Sequence, residues 1–266
     1  MKILNKISFF IVCGFISASS ANADKPIIVA VIDSGIGNLA KNSISMCKHG
    51  HRDFTKTSLI DTSGHGSHIS GLIDQYAKNS VARSDDELLS LKDKKINYCQ
   101  VILKFYDPRT ATSSSTVRSM VNALRWAINI KVDIINISAG GGSSNDEEKK
   151  YIKRALDTGI KVVVAAGNYG CELGSATHKK VNNKTTITGC SFYPAMYDER
   201  LIVVGNLDVN NNRYYSSNYG NYVNSWEHGV SRISYGIEKI SESSTGTSQA
   251  TAVKTGKLVK SMLDSR

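Results

Sequence analysis

Beyond its first two dozen residues the chain has no apolar run approaching the ~20 residues that a membrane-spanning helix needs. That excludes a polytopic membrane protein. None of its cysteines stand at C-x-x-C or similar spacing, so no metal cluster is read from them. Basic residues are not interleaved with aromatics in a pattern that fits nucleic acid, which is not expected as a partner. Internal repeats and an interdomain linker are also lacking, and 266 residues are enough for one large α/β domain or two small ones.

What is present begins with an export signal. Lys2 and Lys6 give a positive start, residues 7–16 are apolar, and Ala21-Asn22-Ala23 is a small-residue cleavage pattern. Residues 1–23 are therefore read as a secretory signal peptide and 24–266 as one mature domain, secreted or periplasmic and free of the membrane after cleavage. An uncleaved anchor is the competing reading, and the apolar run is short for it. Removal of the signal leaves Cys47, Cys99, Cys171 and Cys190. Four cysteines in an exported chain suggest two disulfides and permit three pairings; Cys171–Cys190, closing a polar loop, with Cys47–Cys99 is preferred. The net charge of +10 falls by two, to +8, without Lys2 and Lys6. Its lysines are scattered apart from Lys92, Lys94 and Lys95 and the pair Lys179-Lys180, which reads as a solvated, mildly basic surface.

Composition is that of a globular protein, 41% hydrophobic and 21% charged. The continuous apolar run at 27–32 predicts a strand buried on both faces, and β-rich runs at 101–105, 132–137, 161–166 and 201–204 predict four more strands. Residues 116–130 carry Val117, Met120, Val121, Leu124, Ala127 and Ile128 at helical spacing. Residues 146–157 open with acids and stop before Gly159, as a helix with a glycine C-cap does. Strand–helix alternation predicts a three-layer α/β fold, a mostly parallel twisted sheet with helices on both faces. Residues 74–98 read as an exposed, charged insertion, 170–191 as a long loop, and 206–244 as polar chain with weak periodicity.

In such a sheet chemistry gathers at the carboxyl ends of the strands. Asp33 follows the first strand, Ser138 the third and Asn168 the fourth. His65 stands in Gly64-His65-Gly66-Ser67-His68 and Ser248 in Gly246-Thr247-Ser248-Gln249-Ala250-Thr251, each where a helix can start. A hydroxyl becomes a nucleophile at neutral pH when an imidazole takes its proton and a carboxylate orients that imidazole. Alone, each residue has a bland reading: Asp33 a turn cap, His65 a structural histidine, Ser248 a helix cap, Asn168 a turn residue. A zinc reading of His49, His51, His65 and His68 would leave Ser248 and Asp33 unexplained.

The chain order Asp, His, Ser resembles that of the subtilisin-like (subtilase) family. Val29-Ala30-Val31-Ile32-Asp33-Ser34-Gly35 is similar to the family's aspartate motif and Gly64-His65-Gly66-Ser67-His68-Ile69-Ser70-Gly71 to its histidine motif. The stretch around Ser248 is similar to the serine motif, and Ala165-Ala166-Gly167-Asn168 to the segment bearing the oxyanion-hole asparagine. Ile135-Asn136-Ile137-Ser138-Ala139-Gly140-Gly141 resembles the substrate-pairing strand and pocket wall, and Tyr193-Pro194-Ala195 a segment whose proline bond is usually cis. The resemblance implies a serine endopeptidase with Asp33, His65 and Ser248 as triad, Asn168 as oxyanion donor, and Ser138, Ala139, Gly140 and Phe192 against the substrate. Proteins or peptides are the implied substrates, with no cofactor; a structural calcium is compatible with the family, but no metal site is assigned.

Departures from the family pattern carry expectations of their own. Gln249 and Ala252 stand where Met and Pro are usual, and Ala139 replaces a Leu. Phe192 falls where a small pocket-floor residue is common, which predicts a shallow pocket that disfavours large aromatics before the scissile bond. Nine residues separate Ala23 from Asp33, too few for the usual inhibitory propeptide. A separately encoded inhibitor or chaperone is therefore expected as a partner. The competing function is an inactive protein of the same fold that binds peptides.

Overall fold

Alternation of side chains along buried strands builds the protein in layers. The computed structural model describes residues 25–175, 178–181, 184–187, 190–237 and 239–266, so the signal peptide lies outside the described residues. In chain order the elements are β1 (Ile27–Asp33), α1 (Asn38–Ser43), β2 (Arg52–Asp53), α2 (His65–Ala77), α3 (Asp85–Ser90), β3 (Tyr98–Lys104) and α4 (Ser113–Asn129). They continue as β4 (Ile134–Ile137), α5 (Asp146–Asp157), β5 (Lys161–Ala165), β6 (His178–Val181), β7 (Lys184–Ile187) and β8 (Ile202–Leu207). The chain ends with β9 (Ser225–His228), β10 (Arg232–Tyr235), β11 (Ser241–Ser244) and α6 (Thr247–Asp264).

Seven strands form one sheet in the order β2-β3-β1-β4-β5-β8-β9, parallel at every pairing. On one face Ala30, Ile32, Leu103, Ile135, Ile137 and Val164 pack with Met120 and Leu124 of α4 and Ile152 of α5. On the other, Val29, Val31, Ile102, Ile134, Val163 and Val204 pack with Ile69, Leu72 and Ile73 of α2 and Ala250 and Val259 of α6. The period of two in the strands thus feeds two cores, giving the expected three layers. At about 25 cal/mol per Å² of apolar area buried, these cores are the main stabilising term.

Helix α5 occupies the predicted span, its Asn145 side chain accepting from the Glu148 amide at 2.9 Å. Helix α4 starts three residues earlier than expected, because Thr112 and Ser115 form a reciprocal capping box that draws the serine run into the helix. The disulfides are Cys47–Cys99 and Cys171–Cys190, the preferred pairing, and the Tyr193–Pro194 bond is cis.

Residues 74–98 are exposed over most of 79–97, as expected, but the segment is anchored in the core rather than set upon it. Asp74 and Lys78 pair at 2.7 Å with both side chains buried, and Leu88 and Leu91 enter the core beside Tyr235. Their charges misled because an i, i+4 pair neutralises itself and can then be covered. The polar stretch 206–244 holds β9 and an antiparallel β10–β11 hairpin, and part of 170–191 forms the β6–β7 hairpin.

Candidate active site

Strand order brings the chemistry together before any side chain is placed. Strands β1, β4 and β5 are adjacent, and their carboxyl ends carry Asp33, Ser138 and, three residues on from β5, Asn168. Val31 pairs with Asn136, so Asp33 and Ser138 lie two residues past the last paired position on neighbouring strands. Neighbouring strands are about 4.8 Å apart.

His65 is the first residue of α2. Gly66 follows it for a steric reason: a Cβ there would stand 2.3 Å from the Gly35 carbonyl oxygen, so only glycine lets α2 approach the turn after β1. The imidazole Nδ1 lies 2.8 Å from Asp33 Oδ1. A carboxylate only accepts, so Nδ1 carries the proton and Nε2 is left as the basic nitrogen. Burial works to lower the His65 pKa, but the Asp33 carboxylate and, beyond it, Asp61 outweigh it and hold the pKa above 6.5. Asp33 is itself buried; its Oδ1 also accepts from the Ser34 amide at 2.7 Å, while Oδ2 has no hydrogen-bond partner among the described residues.

Ser248 is the second residue of α6, which runs unbroken through Gln249 and Ala252, so the departures there leave the helix intact. Its hydroxyl donates to the Ser138 carbonyl at 2.8 Å, and the Ser138 hydroxyl returns a bond to the Ser248 carbonyl at 3.0 Å. No hydrogen bond joins Ser248 to His65, so that expected contact is not made. The physical reason is local: a serine hydroxyl chooses among three staggered positions, and here it points at the carbonyl of the residue just past β4.

Asn168 is exposed at the rim, with Oδ1 accepting from the Thr247 amide at 2.9 Å and the Thr247 hydroxyl at 3.1 Å. Occupying the carbonyl end this way leaves the amide NH2 as the free end of the side chain. Asn218, which sequence reasoning missed, threads the loop bearing Asn168: its Nδ2 donates to Ala166 O at 2.8 Å and its Oδ1 accepts from the Tyr169 amide at 3.0 Å. It lay unseen in a polar, aperiodic stretch.

Phe192 is buried, its ring seated against Gly140 and Gly167; a Cβ on Gly140 would meet it at 2.5 Å. The exposed Tyr169 ring stands edge-on to it, centroids 6.0 Å apart. Backbone bonds between Gly141 and Tyr193, at 2.9 and 2.8 Å, pin this segment to the end of β4. Ala139 is half-buried and Gly140 exposed beside them.

Among the described residues no three His, Cys, Asp or Glu side chains gather as metal ligands. The histidines close in sequence serve separate contacts: His51 bridges Cys47 O and the Ile102 amide, and His68 lies on the Arg232 and Glu242 carbonyls. Asp61 is the second residue that sequence reasoning missed. Three residues ahead of the N-cap Gly64, it stands outside the usual capping position, and no local signal marked it.

A parallel seven-stranded sheet between helix layers, with Asp, His, Ser and Asn at one rim, is the three-layer α/β architecture of the subtilisin type. Residues 24–262 match the subtilase family model, and the chain belongs to that family. Subtilisin DY of Bacillus licheniformis is 30% identical over 226 residues, 84% of this chain and 71% of that protein. Subtilisin amylosacchariticus of Bacillus subtilis subsp. amylosacchariticus is 30% identical over 206 residues, and the chain spans about half its length, 46%. A cold-adapted subtilisin-like serine proteinase of known structure superposes with a TM-score of 0.66, covering 92% of this chain and 78% of that one at 21% identity, a likeness of fold.

Proposed function

We propose that the protein is a secreted or periplasmic serine endopeptidase acting on protein or peptide chains through an acyl-enzyme intermediate. The observation that carries this reading is the 2.8 Å contact of His65 Nδ1 with buried Asp33, at the rim where Ser248 and Asn168 also stand. In this reading the Ser248 hydroxyl leaves the Ser138 carbonyl and donates to His65 Nε2. The imidazole takes the proton as Oγ attacks the substrate carbonyl, and Asp33 stabilises the imidazolium. Asn168 Nδ2 and the Ser248 amide receive the oxyanion, aided by the N-terminus of α6. The imidazolium then protonates the leaving amine, and water repeats the sequence on the acyl ester.

The Phe192 ring between Gly140 and Gly167 supports a shallow pocket for the residue before the scissile bond. Peptide-library profiling is expected to favour small or slender side chains there; a strong Phe or Tyr preference overturns that part. Two disulfides support an oxidising compartment. No cofactor is assigned. A separate inhibitor or chaperone is proposed to assist folding, and full activity from refolded 24–266 alone would argue against it.

The second reading is an inactive peptide-binding protein, favoured by the Ser248 hydroxyl resting on Ser138. Casein hydrolysis with and without a serine-directed covalent inhibitor or a chelator, repeated on Ser248→Ala, separates the two. Inhibitor and mutant sensitivity supports the endopeptidase; inertness of the wild type supports the binder.

A further inference from the structure

Asp61 is buried, and its two oxygens face three amides and three hydroxyls, the Ser63 hydroxyl sharing its one proton between Asp61 and Ser34. Oδ1 takes the Gly64 amide at 2.9 Å, the Ser63 amide at 3.0 Å and hydroxyl at 3.3 Å, and the Ser34 hydroxyl at 2.9 Å. Oδ2 takes the Ser67 amide at 2.8 Å and hydroxyl at 2.7 Å. These donors bracket His65 on both sides, so the carboxylate holds the opening turn of α2. No cation pairs with Asp61 among the described residues; its charge is met by amides, hydroxyls and the helix N-terminus.

Ser34 links this carboxylate to the other. Its Oγ lies 2.9 Å from Asp61 Oδ1 and 3.2 Å from Asp33 Oδ1, while accepting from the Gly66 amide at 2.9 Å and from the Ser63 hydroxyl at 2.9 Å. One hydroxyl proton is therefore shared between two buried carboxylates, one of which holds the His65 imidazole. This is more than a helix cap requires, since a cap satisfies amides and has no need of the catalytic aspartate.

We propose that Asp61 is a positioning residue for the reaction: it fixes the turn that presents His65 to Asp33, is coupled to Asp33 through Ser34, and adds a second fixed negative charge behind the imidazole. The proposal rests on the endopeptidase reading and assigns a role to a residue outside the triad. The chemical gain is stabilisation of the imidazolium that forms when Ser248 is deprotonated. The Asp61 charge also helps raise the His65 pKa, while hydrogen bonds from Ser67, Ser63 and Ser34 overcome the upward push of burial and keep the Asp61 pKa low. Other charged or titratable groups at this end are Lys104, ion-paired with Asp107, which also holds Arg109; His68 in α2; and Glu242 on β11. Lys104 Nζ bonds the Ile60 carbonyl at 2.7 Å, next to Asp61.

The test uses the full mature chain with Asp61→Asn and Ser34→Ala. For Asp61→Asn, kcat is expected to fall roughly tenfold with KM within about twofold, the size of one hydrogen bond to a charged group. The acid limb of kcat/KM is expected to move to lower pH. Ser34→Ala keeps both charges, so kcat falls without that downward move of the limb. NMR titration of the His65 ring, in the Ser248→Ala background with and without Asp61→Asn, gives the same answer without any turnover: the His65 pKa falls. Folded Asp61→Asn with wild-type kcat, or loss of melting temperature with the limb and the His65 titration unmoved, overturns the proposal. If the wild type does not cleave casein while the His65 pKa responds as stated, the endopeptidase reading fails and the electrostatic coupling stands.

Discussion

The two sides of the cleft are built from different chemistry. On the β1 side, Asp33, Asp61 and His65 are charged or titratable groups, two of them fully buried, held by a helix N-terminus and serine hydroxyls. On the β4–β5 side, neutral groups do the holding. Thr255 donates to Asn136 at 2.8 Å, Asn136 to Ser138 at 3.1 Å, and Asn218 and Thr247 fasten the loop that bears Asn168. The Cys171–Cys190 disulfide joins that loop to the segment bearing Phe192. The difference places sensitivity to pH on one side and sensitivity to packing and redox on the other. A proton-transfer side needs fixed charge to tune its base, whereas an oxyanion and pocket side needs rigid geometry.

The comparison breaks most sharply at the nucleophile. Ser248→Ala is expected to lower kcat by on the order of 10⁴-fold or more with the fold intact by circular dichroism. Asn168→Ala, on the neutral side, is expected to cost about 10²–10³-fold in kcat at unchanged pH profile, read by steady-state kinetics across pH. Replacing Phe192 by Ala is expected to raise kcat/KM for peptides with Phe before the scissile bond by about tenfold or more, at a stability cost of about 3–5 kcal/mol measured in guanidinium.

The disulfides sharpen the contrast further. Cys47–Cys99 closes a separation of 52 residues and Cys171–Cys190 one of 19. Chain entropy assigns losses of about 4 and about 3 kcal/mol to their double Ala variants. The variant lacking Cys47–Cys99 is expected to melt lower, and the one lacking Cys171–Cys190 to lose more kcat; equal activity losses would erase the division between the two sides.

The smallest effects are those of pH on stability. The raised His65 pKa contributes stability that is present below 6.5 and is lost as pH rises through the folded value. The lowered Asp61 pKa contributes stability that is present above 3.8 and is lost as pH falls through its folded value. Melting temperature against pH for Ser248→Ala is expected to fall on both flanks, with the acid flank softened by Asp61→Asn. Activity runs the other way through the His65 limb, rising about tenfold per pH unit below it because only the neutral imidazole accepts the proton.

Strands with continuous apolar runs, such as 27–32, were legible because burial on both faces leaves no alternative composition. Helix α5 was legible from its acids and glycine. Leu88, Leu91 and the Asp74–Lys78 pair were not, since local charge density does not reveal which charges cancel across one turn. Asp33, His65, Ser248 and Asn168 were nameable from small-residue motifs at strand and helix ends. Asn218 was not, because its role is set by backbone groups some 50 residues away.

The sequence by itself determined the layered parallel sheet, the order of the motifs and the types of side chain at the strand ends, since periodicity and glycine placement are local properties. Tertiary structure alone decided that one serine hydroxyl joins two buried carboxylates, that Phe192 fills the space between two glycines, and that the Ser248 hydroxyl rests on Ser138. Those are distances between segments far apart in the chain, and they exist only once both cores have closed on the sheet.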